Sequence, residues 1–315
     1  MIFMKDSLKA VLKKQSYYIV GDHSGVKLCG WMKKALTQGR VCYKQQFYGI
    51  KTHRCLQMSP TANHCNQNCL FCWRYQKETA KGFDIVDEPE FILDECIKGQ
   101  RTLLTGYKGN PKTDMDLWKE AQEPNQVACS LTGEPTMYPR LGEFFEACHK
   151  RGMTTFLVSN GTLPEVLEKL DPLPTQLYIS LDAPNEQIYK KLCRPLIKDG
   201  WERLQRTLEL LPSLDTRTVI RHTLVKGYNM EPAHAREFAK LDRIADPDMI
   251  EPKAYMFIGY SRQRMDLANM PSHNEVREFS NVLQKELGYE FADEKEDSRV
   301  TLLAKDKTRI RIPGL

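Results

Sequence analysis

The sequence predicts an α/β protein in which parallel strands alternate with helices that cover the sheet. After residue 72, short apolar runs typical of strands alternate with stretches of helical periodicity. The strand-like runs end in the polar stretches TGEP, SNG, SLDAP, KGYN and IGYS. Such strand ends build the active site in parallel barrels and open α/β sheets. Because only five or six units are visible, we expect a partial barrel rather than a closed eightfold one.

The predicted elements follow in order along the chain. Strand-like runs occupy residues 126–136, 154–161, 176–184, 217–229 and 254–261. Helical patterns occupy residues 89–104, 139–152, 163–170, 185–211, 231–245 and 272–288. Residues 105–126 are too long for an ordinary connection, and loops of that length are usually disordered or functional. The tail, residues 298–315, alternates like a two-stranded hairpin that turns at Lys305–Lys307.

The chain divides into a basic segment at 1–47, a core at 48–286 and an extension at 287–315. Residues 1–60 contain eleven lysines and arginines and two acids, a net charge of +9, whereas the remainder has a net charge of −4. A polyanionic partner and a solvated basic face explain this clustering equally well.

The cysteines indicate metal binding or catalysis rather than disulfides. No run is long enough for a membrane span or a signal peptide, so we expect a cytoplasmic protein without a membrane partner. We also expect the protein to be a monomer. Thiols stay reduced in the cytosol, and this chain has ten of them.

Three of the ten cysteines lie in the stretch HCNQNCLFCW, residues 64–73: Cys65, Cys69 and Cys72. A structural zinc site needs four ligands, which His64 or His53 would complete. A four-iron cluster normally has four cysteine ligands, so three of them would leave one iron open. Both interpretations remain at this point.

The spacing C-x3-C-x2-C, with Phe71 before the last cysteine, resembles that of the radical S-adenosylmethionine (SAM) superfamily. The resemblance implies a (β/α)6-type partial barrel in which SAM binds the open iron and yields a 5′-deoxyadenosyl radical. TGEP resembles the superfamily's GGEP strand end, with Gly133 and Glu134 matching and Thr132 departing from the pattern. The resemblance also assigns Phe71, Asn160, Ser180 and Asp182 to SAM binding, and Ile258–Ser261 to the adenine.

A second set of cysteines, Cys29, Cys42 and Cys55, is spaced at intervals of thirteen residues. These are either unrelated buried thiols or the ligands of a second cluster. Cys96, Cys129, Cys148 and Cys193 lie in helix or strand patterns and are predicted core residues.

Two such sets, with VGDHSGVKLCGWMKKAL and CYKQQFYGI ahead of the SAM motif, resemble the 4-demethylwyosine synthase family. The resemblance implies two [4Fe–4S] clusters and a reaction of pyruvate with N1-methylguanosine-37 of tRNA(Phe). It assigns Lys44 as the residue that forms a Schiff base with pyruvate. The eukaryotic members' flavodoxin-like domain does not fit within 315 residues, so the resemblance implies a separate electron donor of ferredoxin or flavodoxin type.

For the RNA contact we predict Lys98, Arg101, Lys108 and Lys112, which make the region before and within the 105–126 segment basic. Two alternatives remain open. One is another two-cluster radical SAM enzyme, such as an activase or an RNA methylthiotransferase. The other is a non-enzymatic zinc-dependent RNA-binding module, which would contain zinc and no sulfide.

Overall fold

A computed structural model describes residues 4–80 and 82–314. Its strands form one sheet, and their bounds are β1 (Tyr18–Val20), β2 (Ser24–Val26), β3 (Cys55–Ser59), β4 (Gln126–Cys129), β5 (Thr154–Ser159), β6 (Gln176–Ser180), β7 (Arg217–Leu224), β8 (Met249–Ala254), β9 (Glu290–Lys295) and β10 (Val300–Ala304). The strand order is β1-β2-β3-β4-β5-β6-β7-β8-β10-β9. Strands β3 to β8 are parallel, whereas β1, β2, β9 and β10 add antiparallel pairs at the two edges. The six parallel strands confirm the predicted partial barrel.

The helices connect and cover these strands. Their bounds are α1 (Asp6–Lys14), α2 (Gly30–Gln38), α3 (Tyr43–Tyr48), α4 (Pro89–Lys108), α5 (Met115–Glu120), α6 (Leu141–Lys150), α7 (Pro164–Glu168), α8 (Glu186–Leu192), α9 (Gly200–Leu210), α10 (Pro232–Ala245) and α11 (His273–Leu287). Within the described residues, no helix combines the length and the apolar character needed to cross a membrane.

The sheet has a different apolar cluster on each face. On the outer face, alternate strand residues such as Leu157, Ile179 and Ile220 belong to the main core, which helices α4, α6 and α9 to α11 share. On the inner face, alternate residues such as Phe156 and Tyr178 pack against α3. Because strand side chains alternate between faces, every second residue of the parallel strands points into the barrel. Helix α3 is therefore part of the barrel interior.

The structure corrects three details of the predicted elements. The helical pattern at 185–211 is two helices, α8 and α9, because Pro195 lies between them and proline cannot continue a helix. The predicted strand at 254–261 ends at Ala254 and begins earlier, at Met249. The segment at 105–126 is not an open loop, because α4 continues to Lys108 and α5 follows it.

The C-terminal hairpin exists, but its turn lies earlier than predicted. Strand β9 pairs with β10, and a 3-10 turn at Glu296–Ser298 joins them. The stretch Lys305–Lys307 follows β10 and leads into a second 3-10 turn. The alternation of residues 308–312 resembles a strand because Ile310 and Ile312 are apolar, yet they pack on the inner-face cluster as an irregular tail.

Candidate functional site

The upper end of the barrel, where the parallel strands end, holds the loop with Cys65, Cys69 and Cys72. All three thiols belong to residues that are partly exposed. Side chains hold the carbonyl groups of this loop: Gln76 donates to Cys69 O at 2.9 Å, and Arg264 donates to Leu70 O at 3.1 Å and to Cys72 O. These bonds fix the loop through its carbonyl groups, and the Cys69 thiol donates to Gln67 Oε1 at 3.2 Å.

Gly133 brings the end of β4 directly against this loop. Its φ is +73°, and a Cβ added there would overlap the carbonyl oxygen of Thr61 and lie 2.6 Å from that of His64. The next residue, Glu134, donates its N–H to His64 O at 2.8 Å. Only glycine satisfies both the left-handed backbone and the close approach. The departure at Thr132 does not disturb this contact.

The carboxylate of Glu134 ties the end of β4 to the end of β5. It accepts hydrogen bonds from Ser159 Oγ at 2.8 Å and from Asn160 N at 2.7 Å. Thr136 donates to it twice, through its N–H and its hydroxyl. Burial raises the pKa of Glu134, and these donors oppose the rise. Asn160 in turn donates to Asn66 Oδ1 at 2.7 Å, next to Cys65.

The ends of the later strands approach the same loop. Gly259 has a φ of +58°, and a Cβ there would lie 2.6 Å from Trp73 O, which Tyr260 N also contacts at 3.0 Å. The pKa of Cys69 is raised by its hydrogen bond with the Cys193 thiol, by burial and, to a lesser extent, by Asp182.

The two SAM-assigned residues of β6 and its loop make contacts with β7. Asp182 accepts a bond from Thr223 N at 2.8 Å, and Ser180 accepts one from Arg221 Nη2 at 3.3 Å. Phe71 lies at the edge of a small apolar cluster that includes Leu192 and Tyr255. The structure therefore brings the SAM-assigned strand ends together around one loop.

The second set of cysteines comes together at the lower end of the barrel. Cys29 and Cys42 precede α2 and α3 as their N-cap residues, and Cys55 begins β3. Burial raises the pKa of Cys42 to about 12 and also raises that of Cys55, and in both cases the thiol of Cys29 adds to the rise. A thiol affects its neighbours this way only when they are close. Helix N-termini favour negative charge, which suits thiolate ligands at Cys29 and Cys42.

The two sets lie at opposite ends of β3. Cys55 is the first residue of that strand, and the loop with Cys65 begins after its last residue, Ser59. Four residue steps along a strand span roughly 13 Å. Among residues 4–80 and 82–314, no three His, Cys, Asp or Glu side chains converge on one point, as a single zinc ion would require. A four-iron cluster makes a different demand, because each thiolate binds its own iron. Each set offers three thiols, the type of donor that iron–sulfur clusters bind.

Lys44 lies inside the barrel between the two sets. The residue is only 9% exposed, and its Nζ lies 4.3 Å from the centre of the Tyr178 ring and 4.8 Å from that of Phe156. Its amine has no hydrogen bond or ion pair with any described residue. Burial lowers the pKa of Lys44, and the carboxylate of Glu251 opposes this. An amine held in this way is available to a bound molecule.

Comparisons with known proteins agree with this geometry. The family description "Radical SAM superfamily" matches residues 59–239, and "Wyosine base formation" matches residues 244–305. The S-adenosyl-L-methionine-dependent tRNA 4-demethylwyosine synthase of Pyrococcus abyssi is 54% identical over 311 residues, covering 96% of this chain and 90% of its own length. The chain belongs to this family.

Relatives and solved structures define the extent of the likeness. The human tRNA 4-demethylwyosine synthase TYW1 is 38% identical over 309 residues, covering 96% of this chain but 42% of its own length. A structure of TYW1 with a lysine–pyruvate adduct bound has a TM-score of 0.88 and 40% identity, with 98% of each chain covered. A crystal structure of archaeal TYW1 has a TM-score of 0.80 and 37% identity, covering 98% of this chain and 99% of its own. Membership in the radical SAM superfamily implies SAM and a [4Fe–4S] cluster.

Sequence reasoning missed three charged residues that this family member places inside the barrel. They are Arg221 on β7 and Glu251 and Lys253 on β8, and all three occupy inward positions. Arg221 lies directly opposite Glu251 in the pairing of β7 with β8. Glu251 is buried and accepts hydrogen bonds from Tyr48 and, at 3.1 Å, from Tyr43. Burial lowers the pKa of Lys253 to about 8. The sequence signal was charged residues alternating with apolar ones in RTVIRHTL and MIEPKA.

The four predicted RNA-contact residues lie away from the upper end. Lys98 pairs with Glu95 at 2.9 Å and Arg101 pairs with Glu123 at 2.6 Å, both on the protein surface. Lys108 lies 5.8 Å from the ring centre of Trp118, and Lys112 follows in an exposed turn. Backbone bonds from Asp114 to Leu36 and from Asn125 to Arg54 attach the segment that follows to the lower end. Their role in RNA binding stays a prediction.

The approach at Gly133 predicts a specific effect of Gly133→Ala. The new methyl group must displace the cysteine loop or the end of β4, so we expect loss of SAM cleavage and a stability loss of about 1–3 kcal/mol from overpacking. Gly152→Ala is the matched control, because Gly152 has a similar φ of +67° and nothing within 4 Å of an added Cβ. Chemical denaturation and an anaerobic SAM-cleavage assay measure the two effects. Equal effects of the two substitutions would contradict the role of the close approach.

Proposed function

We propose that this protein is a tRNA 4-demethylwyosine synthase that joins pyruvate to N1-methylguanosine-37 of tRNA(Phe). In this reaction the N-methyl carbon bonds to the carbonyl carbon of pyruvate, the carboxyl carbon is lost and a third ring closes. Family membership supports the reaction, and the position of the Lys44 amine inside the barrel, between two sets of cysteines, is the observation that carries it. The alternative of another two-cluster radical SAM enzyme lacks an equivalent observation.

Lys44 holds pyruvate as a Schiff base in this proposal. Its amine adds to the carbonyl carbon, a carbon–nitrogen bond forms, and the carbonyl oxygen leaves as water, giving an imine. Three features of the structure favour this role. The amine is enclosed, it forms no hydrogen bond or ion pair with the described residues, and it lies over the rings of Phe156 and Tyr178. The TYW1 structure with a lysine–pyruvate adduct, 40% identical to this chain, supports the same chemistry.

The upper cysteine set would hold the cluster that binds SAM. When bound, the cluster and SAM supply a 5′-deoxyadenosyl radical that removes a hydrogen atom from the N-methyl group. The protein's contribution is to position these groups: Gly133 and Asn160 hold their strand ends against the cysteine loop, and Arg264 fixes the loop's carbonyl groups. Asp182, Ser180, Phe71 and Ile258–Ser261 complete the proposed SAM site. Glu134 connects two of the strand ends within it.

Cys29, Cys42 and Cys55 would hold a second [4Fe–4S] cluster below Lys44. The three thiols lie close together although they come from three different elements, and two of them cap helices. The effect of Cys29 on both of the other thiols favours one shared site over three unrelated core positions. The proposed enzyme acts as a monomer and receives electrons from a separate donor of ferredoxin or flavodoxin type.

Reductive trapping tests the role of Lys44. With pyruvate and borohydride, the wild type should gain a three-carbon adduct on the peptide that contains Lys44, detected by mass spectrometry. Lys44→Ala should lose the adduct and the tricyclic product while retaining its iron. Lys51→Ala is the control, because Lys51 also lies within the basic residues 1–60 but forms an exposed ion pair with Glu120. An adduct that persists in Lys44→Ala would place the anchor on another lysine.

Iron content tests the two clusters. The reconstituted protein should bind about eight irons, four for each cluster. Replacing Cys65, Cys69 and Cys72 with alanine should leave about half of the iron and abolish SAM cleavage. Replacing Cys29, Cys42 and Cys55 should also leave about half of the iron, yet SAM cleavage without tRNA should continue. If the second triple variant keeps all its iron, the lower thiols are structural and the second cluster is wrong.

The salt dependence of tRNA binding tests the predicted RNA contacts. Neutralising Lys98, Arg101, Lys108 and Lys112 together should weaken binding and flatten its salt dependence, because each phosphate contact adds to the slope. A comparison set at the upper end is Lys77, Arg194 and Lys198, which are exposed and form no ion pair with described residues. If only the comparison set changes the slope, the docking surface lies at the upper end and the prediction for residues 98–112 is wrong.

A further inference from the structure

Arg221 is a partly buried cation in the barrel, and none of the described carboxylates lies within ion-pair distance of it. It lies on the inward face of β7, in register with Ser180 on β6 and with Glu251 on β8. Its hydrogen bond to Ser180 Oγ, at 3.3 Å, is the contact its side chain makes within the described part of the chain, and it forms no ion pair there. A guanidinium has five N–H donors, so most of them remain free.

One of the acidic side chains that attract Arg221, Glu251, is already engaged. The carboxylate of Glu251 accepts hydrogen bonds from the hydroxyl groups of Tyr43 and Tyr48. Lys253, its neighbour on β8, donates to Ser298 O at 2.6 Å. Burying a cation away from water is costly unless a partner compensates it. The barrel thus brings three basic side chains, Lys44, Arg221 and Lys253, near Glu251, whose carboxylate two tyrosines occupy. Asp182 also attracts Arg221, and its carboxylate accepts the N–H of Thr223.

Arg221 also faces open space rather than packed protein. The residue keeps part of its surface accessible, as do Val158, Ser180 and Lys253 on neighbouring strands, although all four side chains point inward. Inward residues that remain accessible line an internal space. The accessible part of Arg221 therefore faces this internal space.

Arg221 lies one inward layer above the amine of Lys44. That amine rests on the ring of Tyr178, and Ser180, the partner of Arg221, is the next inward residue on the same strand. Two residues along a strand span roughly 7 Å, which the long side chains of Arg221 and Lys44 can bridge. In a 2-ketoacid, the carboxylate is attached directly to the carbon that the amine attacks.

We propose that Arg221 binds the carboxylate of the ketoacid that Lys44 holds, and so selects 2-ketoacids over neutral carbonyl compounds. The guanidinium forms charge-assisted hydrogen bonds to the carboxylate, and a planar fork matches its two oxygens. Ser180 orients the guanidinium through its hydroxyl. This assignment rests on the proposed function of Lys44. SAM also has a carboxylate, and the experiment separates the two sources.

The test compares two ligands that share a carbonyl group but differ in charge. Borohydride trapping on the Lys44 peptide is measured over a range of pyruvate and of methyl pyruvate concentrations, with the reconstituted protein under anaerobic conditions. In Arg221→Gln, half-saturation by pyruvate should rise at least about tenfold, as expected for the loss of a charged hydrogen bond. Half-saturation by methyl pyruvate should stay within about twofold, because that ester has no charge to lose. For each ligand we take the ratio of half-saturation in Arg221→Gln to half-saturation in the wild type. Comparing the ratio for pyruvate with the ratio for methyl pyruvate removes the difference in intrinsic reactivity between the two ligands.

Further measurements distinguish the remaining outcomes. SAM binding, measured by equilibrium dialysis, should be unchanged in Arg221→Gln; weaker SAM binding with unchanged pyruvate trapping would overturn the proposal and assign Arg221 to SAM. Arg221→Lys keeps the positive charge but lacks the planar guanidinium, so half-saturation by pyruvate should rise by an intermediate amount. This variant replaces Arg221→Gln in the test if the glutamine variant does not fold. Equal shifts for both ligands would also overturn the proposal. If the wild type forms no adduct on Lys44, both the role of Lys44 and the role of Arg221 are wrong. If the wild type forms the adduct but Arg221→Gln leaves half-saturation by pyruvate unchanged, only the role of Arg221 is wrong.

Discussion

The cost of burying positive charge inside a barrel is the constraint on which the rest of the site depends. Lys44, Arg221 and Lys253 all point into the enclosed space, and Glu251 is the carboxylate among the inward residues of β8. Its two phenolic partners, Tyr43 and Tyr48, come from α3, the same short helix that contains Lys44. One carboxylate therefore fixes the helix that presents the amine. Asp182 attracts Arg221 as well, and the proposed ketoacid would compensate the positive charge that remains.

The two ends of the barrel obtain their cysteines in different ways. At the upper end, a single loop supplies three cysteines, and the strand ends close around it through Gly133, Asn160 and Gly259. At the lower end, Cys29, Cys42 and Cys55 come from separate elements. Thr52, three residues before Cys55, accepts a hydrogen bond from Cys42 N and donates its own N–H to Gln45. Strand β3 connects the two ends and sets the separation between them. A substrate held by Lys44 lies between them.

The cysteine loop at the upper end could be predicted from the sequence, whereas the charged residues inside the barrel could not. Cys65, Cys69 and Cys72 are recognisable because their spacing is local, and the partial barrel is recognisable because each unit repeats a strand, a polar end and a helix. Strand β8 was placed too late because Glu251 and Lys253 make MIEPKA look unlike a buried strand. Only the folded barrel shows that these two charged side chains point inward. The hairpin turn was misplaced for a similar reason, since the tail after β10 packs its isoleucines without forming a strand.

If Lys44 holds pyruvate as proposed, pyruvate carbons enter the tRNA base. The most direct measurement is an anaerobic reaction with SAM, a reductant, methylated tRNA and pyruvate labelled with carbon-13 at carbons 2 and 3, followed by mass spectrometry of the nucleosides. The account predicts a tricyclic nucleoside that contains both labelled carbons. SAM cleavage that leaves the methylated guanosine unchanged, or a modified nucleoside without the label, would contradict it.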